Sequence, residues 1–138
     1  MTDNAITIKT HVKAPIDKVW DTFTKEEHIV KWNNASEDWH TPRAENNLTK
    51  GGTFTFRMEA KDGSFGFDFG GTYDDVQPNR LISYTMGDGR KVEVQFEQEN
   101  DQIAVTETFE PESLNPLEMQ RDGWLAILNN FKNYVERT

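Results

Sequence analysis

From Phe54 to Phe109 apolar side chains recur at nearly every second position, and this alternation limits what the chain can become more than any other feature. A period of two means strands with one apolar face. The turn pairs Asp62-Gly63, Pro78-Asn79, Asp88-Gly89 and Asn100-Asp101 cut the run into five strands. Their apolar sets are Phe54, Phe56 and Met58; Phe65, Phe67, Phe69 and Tyr73; Ile82, Tyr84 and Met86; Val92, Val94 and Phe96; and Ile103, Val105 and Phe109. Connections this short predict an antiparallel meander, and its single apolar face needs a cover.

The cover is written at the C-terminus. Leu117, Trp124, Ile127, Leu128, Phe131, Tyr134 and Val135 form one helical stripe, while Arg121, Asp122, Asn129, Lys132 and Glu136 face away. "NPLE" offers Asn115 as an N-cap and Pro116 as the first helical residue. Gly123 costs about 1 kcal/mol inside a helix, so close packing of the helix backbone on the sheet is its expected role. A sheet that curls round this helix needs points of bending. In "SFGFDFGGTYDDV", residues 64 to 76, Gly70 and Gly71 supply them, and the small residues between the rings make the solvent face.

Ahead of the meander, Ile6, Ile8 and Val12 alternate with polar residues as a first strand that Pro15 ends. Ile16, Val19, Trp20 and Phe23 follow at helical spacing. Thr24 and Glu27 have the capping-box spacing of a second short helix carrying Ile29, Val30 and Trp32. Asn33 to Gly52 is polar and turn-rich and reads as a long loop, a length that usually accompanies function or mobility. The expected fold is α+β: a curled six-stranded antiparallel sheet wrapped around a long C-terminal helix, with two short helices between the first and second strands. The whole, residues 1–138, is expected to form a single domain.

Composition narrows the function. A formal charge of -9, from 15 basic and 24 acidic residues without a basic run, argues against nucleic acid or an anionic membrane as partner. With no cysteine there is no disulfide, thiol nucleophile or thiolate metal site. The N-terminal MTDNAITIKT has neither the basic nor the apolar region of a leader, and no apolar run approaches a membrane span, so a cytoplasmic location is expected.

"APIDKVWDTFT" at 14 to 24, Trp32, Gly51-Gly52 with Phe54, Asp62-Gly63, Gly71, "PNRLISYT" at 78 to 85 and "GW" at 123 and 124 occur in an order that resembles one superfamily end to end. It is the START-like helix-grip superfamily (SRPBCC), and within it the branch named after the activator of heat-shock protein 90 ATPase. The resemblance implies a deep cavity between the curled sheet and the C-terminal helix, used across the superfamily for lipids, sterols, polyketides and other apolar molecules. It also raises a chaperone contact, although eukaryotic co-chaperones of the branch carry a further N-terminal domain for that purpose and 138 residues leave no room for one.

The residues expected to meet a ligand follow from the apolar face. Phe65, Phe67 and Phe69 are either core filling or cavity wall, and Phe54, Phe56, Tyr84 and Phe96 add aromatic surface from adjacent strands. Trp32 and Trp39 join them from the second helix and the long loop. Glu107 falls on the apolar parity of its strand, where a carboxylate must be paired, hydrogen-bonded or protonated, or else a bulge has shifted the register. It is a candidate polar anchor or general acid/base. His40 is a second catalytic candidate, at a pocket mouth or simply in solvent. Gln120 and Trp124, one helical turn apart, share a face as polar handle and as lid or floor. His11 and His28 lack clustering, so no metal is expected, and no nucleotide-binding loop or other cofactor motif occurs.

Three functions remain open on these residues. The preferred one is binding of a small hydrophobic or amphipathic molecule without catalysis. The others are a cyclase- or dehydratase-type enzyme in the same cavity, and a chaperone-interaction domain whose cavity is merely a filled core.

Overall fold

The alternating run folds as neighbouring antiparallel strands, but there are more of them than the pattern predicts. In the computed structural model, which describes all 138 residues, the order is β1 (Ile6–Val12), α1 (Ile16–Thr24), α2 (Glu26–Trp32), β2 (Trp39–Asn46), β3 (Thr53–Ala60), β4 (Gly66–Gln77), β5 (Leu81–Met86), β6 (Lys91–Glu99), β7 (Gln102–Phe109) and α3 (Leu117–Arg137). One seven-stranded sheet runs β1-β7-β6-β5-β4-β3-β2, every neighbouring pair antiparallel. The sheet grips α3, as expected.

The extra strand is β2, inside the stretch expected to be a loop. Its sequence WHTPRAEN has no alternating apolar row and contains Pro42, which lacks the N–H a ladder needs. The structure accommodates both faults by placing β2 at the edge, paired only to β3, with a register shift between His40 and Arg43.

The expected turns form where the pairs stand, with Gly63 (φ 79°), Asn79 (φ 67°), Gly89 (φ 92°) and Asn100 (φ 57°) in the left-handed region. Gly70 and Gly71 do let the backbones crowd: a Cβ on either would sit 2.5 Å from a carbonyl oxygen, of Phe54 or of Thr85 respectively. Past them, the register shift between Tyr73 and Asp75 resets the parity of β4. Tyr73 therefore meets Tyr84, and Val76 meets Ile82, on one face.

Both expected caps are different in detail. Lys25 occupies the N-cap of α2, while Thr24 Oγ1 donates to the Trp20 carbonyl at 2.8 Å. Pro116 occupies the N-cap of α3, and the Asn115 amide donates to Glu112 Oε2 at 2.9 Å. In each case the side chain is committed to a neighbouring carbonyl or carboxylate and is lost to the helix end.

The core is densest where three layers meet. Leu128, Phe131 and Val135 of α3 are buried against Ile8 and Val12 of β1 and Ile103 and Val105 of β7. Phe23 sits at the centre, with ring centroids 5.2 Å from Phe131, 5.3 Å from Trp32 and 5.4 Å from Phe96. The helices are also tied by polar bonds, Trp32 Nε1 to the Thr22 carbonyl (2.8 Å) and Asn130 Nδ2 to the Trp32 carbonyl (2.7 Å). No helix is long and apolar enough to cross a membrane.

Candidate functional site

Toward the N-terminal end of α3 the packing opens. A cavity of about 350 Å³ lies between α3 and the curled sheet, within the size range of small-molecule pockets. β3 brings Phe54, Phe56 and Met58 to it; β4 brings Phe67, Phe69 and Tyr73; β5 brings Ile82, Tyr84 and Met86; and α3 brings Gln120, Trp124 and Ile127. Phe23 and Trp32 close its inner end, and Phe67 and Asn115, both exposed, stand at its mouth.

The rings running from Phe65, one residue before β4, along the strand are graded. Phe65 is 61% exposed, Phe67 41%, and Tyr73 only 5%. Phe69 approaches Trp124 of α3 at 5.9 Å, whereas Phe65 and Phe67 turn to Trp39 of β2, each at 6.1 Å. The strand simply outruns the helix. Phe65 and Trp39 thus form an outer aromatic cluster and do not line the cavity, contrary to the expectation for both. Phe96 is misplaced in the other direction: it is buried at the closed end, 5.3 Å from Trp20.

Trp124 forms a wall held from two sides, stacked on Phe109 at 4.0 Å and 7° and met edge-on by Phe69. Gln120 borders the cavity, but its amide is spent. Its Nε2 donates to the carbonyls of Glu112 (3.0 Å) and Asn115 (2.9 Å), and its Oε1 accepts from Glu112 N–H (2.9 Å). It fastens the segment between β7 and α3, and is not free to greet a ligand. A Cβ on Gly123 would meet nothing within 4 Å, so the close packing expected there is absent and open space lies beside the helix.

Glu107 holds the inward position its parity indicates. It pairs with Ile8 of β1 and Val94 of β6, both buried apolar residues, with no register shift near it. Removal from bulk water, with no compensating hydrogen bond, pushes its carboxyl up to about 8. Tyr84 is raised well above its ordinary value, first by burial and then by the nearby Glu107 charge. Tyr73 is raised by burial too, partly offset by the hydrogen bond it donates to Asn46 Oδ1. At neutral pH the cavity therefore carries an acid and phenols in their protonated forms.

His40 lies outside this constellation. On edge strand β2 it stands 3.8 Å from Glu59, with 44% of its side chain exposed. Arg90 was not foreseen: it lines the cavity from the turn before β6 while donating to Asp88 at 2.8 Å. Nor was Asn46, since its strand has no apolar pattern to reveal an inward side.

A curled antiparallel sheet closed on one long helix, with a cavity between them, defines the helix-grip class. Within it, this chain belongs to the family described as Activator of Hsp90 ATPase homolog 1-like protein, whose model matches residues 13–136. The chain is similar to the AHSA1-like protein from Aeromonas hydrophila: 44% identity, 96% of this chain and 92% of that one covered, TM-score 0.91. A protein from Cytophaga hutchinsonii is 53% identical, with 97% and 93% covered and a TM-score of 0.85. The Aha1 dimer from Colwellia psychrerythraea shares the fold at 19% identity, with 96% of each chain covered and a TM-score of 0.74. No curated protein matches the sequence.

Proposed function

We propose that residues 1–138 act as one unit that binds a small hydrophobic or amphipathic molecule in the cavity between the curled sheet and α3. The observation that carries this reading is an aromatic-walled space of about 350 Å³ beside a fully packed core in the same molecule. Dense packing is the rule in protein interiors, and a void this large costs stability unless something occupies it. Phe54, Phe69, Tyr84 and Trp124 supply the apolar contact, and the exposed Phe67 supplies an entrance edge.

Mass spectrometry of the natively purified protein tests the reading directly. A small molecule that leaves on denaturation, and whose return raises the thermal midpoint, supports it. A protein that is empty and unaffected by any apolar compound counts against it.

Glu107 favours one second reading, an enzyme of the cyclase or dehydratase kind, because a protonated acid facing the cavity is suited to giving up a proton. Glu107→Gln separates the two: turnover lost with binding kept points to catalysis.

A further inference from the structure

The polar groups around the cavity divide into those already engaged and those left free. Gln120 is held by Glu112 and Asn115, and the Glu112 carboxylate accepts from the N–H groups of Leu114 and Asn115 and from the Asn115 amide. Tyr73 donates to Asn46, and Arg90 donates to Asp88 through Nε alone, its two Nη groups at the cavity having no hydrogen-bond partner within the protein. Asn33 and Thr24 also have protein partners. Glu107 and Tyr84 do not: neither the carboxyl nor the phenol has a hydrogen-bond partner within the protein. No fully enclosed side-chain polar atom lacks a partner, so these two groups face the space of the cavity they line.

Both stand on the inner face of the sheet, with one strand between them. Glu107 on β7 and Tyr84 on β5 flank β6, whose residues between them on the inner face are Val94, opposite Glu107, and Val92, opposite Tyr84. Short valines leave the two longer side chains standing above the floor. The other charged or titratable groups at the cavity are Tyr73 from β4, Arg90 from the turn before β6 and Glu112 from the segment before α3. β1 and β6 present Ile8 and Val94 to Glu107, and α3 presents Gln120 and Trp124 to the cavity, all uncharged.

We infer that the cavity selects an apolar molecule carrying one carbonyl-type oxygen, received by the Glu107 carboxylic acid and the Tyr84 hydroxyl as paired donors. This rests on the ligand-binding reading above and adds the class of ligand. Two donors without a partner complement an acceptor, and a ligand lacking it leaves both unpaired, which is where such sites discriminate most. An amine would offer donors to donors, and it would pair well only with an ionised Glu107.

The test uses three molecules of similar shape, acetonaphthone, isopropylnaphthalene and naphthylethylamine, titrated calorimetrically into the full chain. Near pH 6, acetonaphthone binds about tenfold tighter than isopropylnaphthalene, the ratio expected of one good net hydrogen bond. Since Glu107 loses its proton around pH 8, the advantage falls as pH rises beyond that value. Glu107→Leu and Tyr84→Phe each reduce it while isopropylnaphthalene binding persists, and the second variant, which removes a single oxygen, guards against misfolding of the first. Equal affinity for the ketone and the hydrocarbon, or preference for the amine, overturns the inference while leaving the cavity reading intact. Binding of none of the three overturns both.

Discussion

The two halves of the groove under α3 are built from the same kind of residue and end in opposite states. At the C-terminal half, Phe131 meets Phe23 and Trp32, Phe23 in turn meets Phe96, and Leu128 and Phe131 are fully buried. At the N-terminal half, Trp124 faces Phe69, with Tyr84 and Phe54 behind it, and a cavity remains. Aromatic content does not distinguish them. What differs is the number of layers: α1 and α2 insert rings between sheet and helix at one end, whereas the other end has only the segment from Glu110 to Pro116 and the edge of the sheet. A third layer fills, and its absence leaves a space.

The strongest challenge to this comparison is to remove one ring from each half. Phe131→Ala is expected to cost about 3–5 kcal/mol, as deletion of a fully buried ring that its neighbours cannot replace. Phe67→Ala, at the partly exposed mouth, should cost less than about 1 kcal/mol, while weakening binding of acetonaphthone. Urea unfolding of both variants measures the contrast, and comparable losses would show that the open half is a filled core.

Next in size is the pH dependence carried by Glu107. In the folded chain its proton is held up to about 8, against an ordinary 4.5 when unfolded. Between these values the unfolded chain binds fewer protons, so this group makes stability fall as pH rises through the window. The loss is complete above the folded value. Glu107→Gln cannot ionise, so its advantage over the parent should grow across the window to a few kcal/mol. Thermal midpoints of the two proteins, measured side by side, check this. Parallel curves would mean that water entering the cavity already solvates the carboxylate.

The smallest effect sharpens where the open half begins. Gly123→Ala fills space that nothing occupies and improves helix propensity, so it should stabilise by about 0.5–1 kcal/mol. Destabilisation by Ala would restore the close helix–sheet packing that the sequence suggested.

Much of the architecture was legible because alternation and helical spacing are strong where one face is buried. Phe54, Ile82, Val94 and Val105 hold the inward places their parity predicts, and so does Glu107, the one carboxylate on that face. β2 was not legible. An edge strand carrying a proline needs no apolar row, so its sequence has the polar texture of a loop. The cavity wall was legible only in part, for a physical reason visible in Phe65, Phe69 and Phe96. All three have inward parity, but one lies beyond the end of α3, one under Trp124 and one beneath α1.

The sequence by itself determined the strands of the meander, their turns, the gripping helix and the presence of an acid on the inner face. Those are local facts, set by which side of a strand or helix each residue occupies. Whether that face would be packed or empty, and which polar groups would be left without a partner, was decided only by the tertiary structure. It depends on how far α1 and α2 reach along the groove, and on Gln120 and Glu112 bonding to each other's segment while Glu107 and Tyr84 are left facing the space between them.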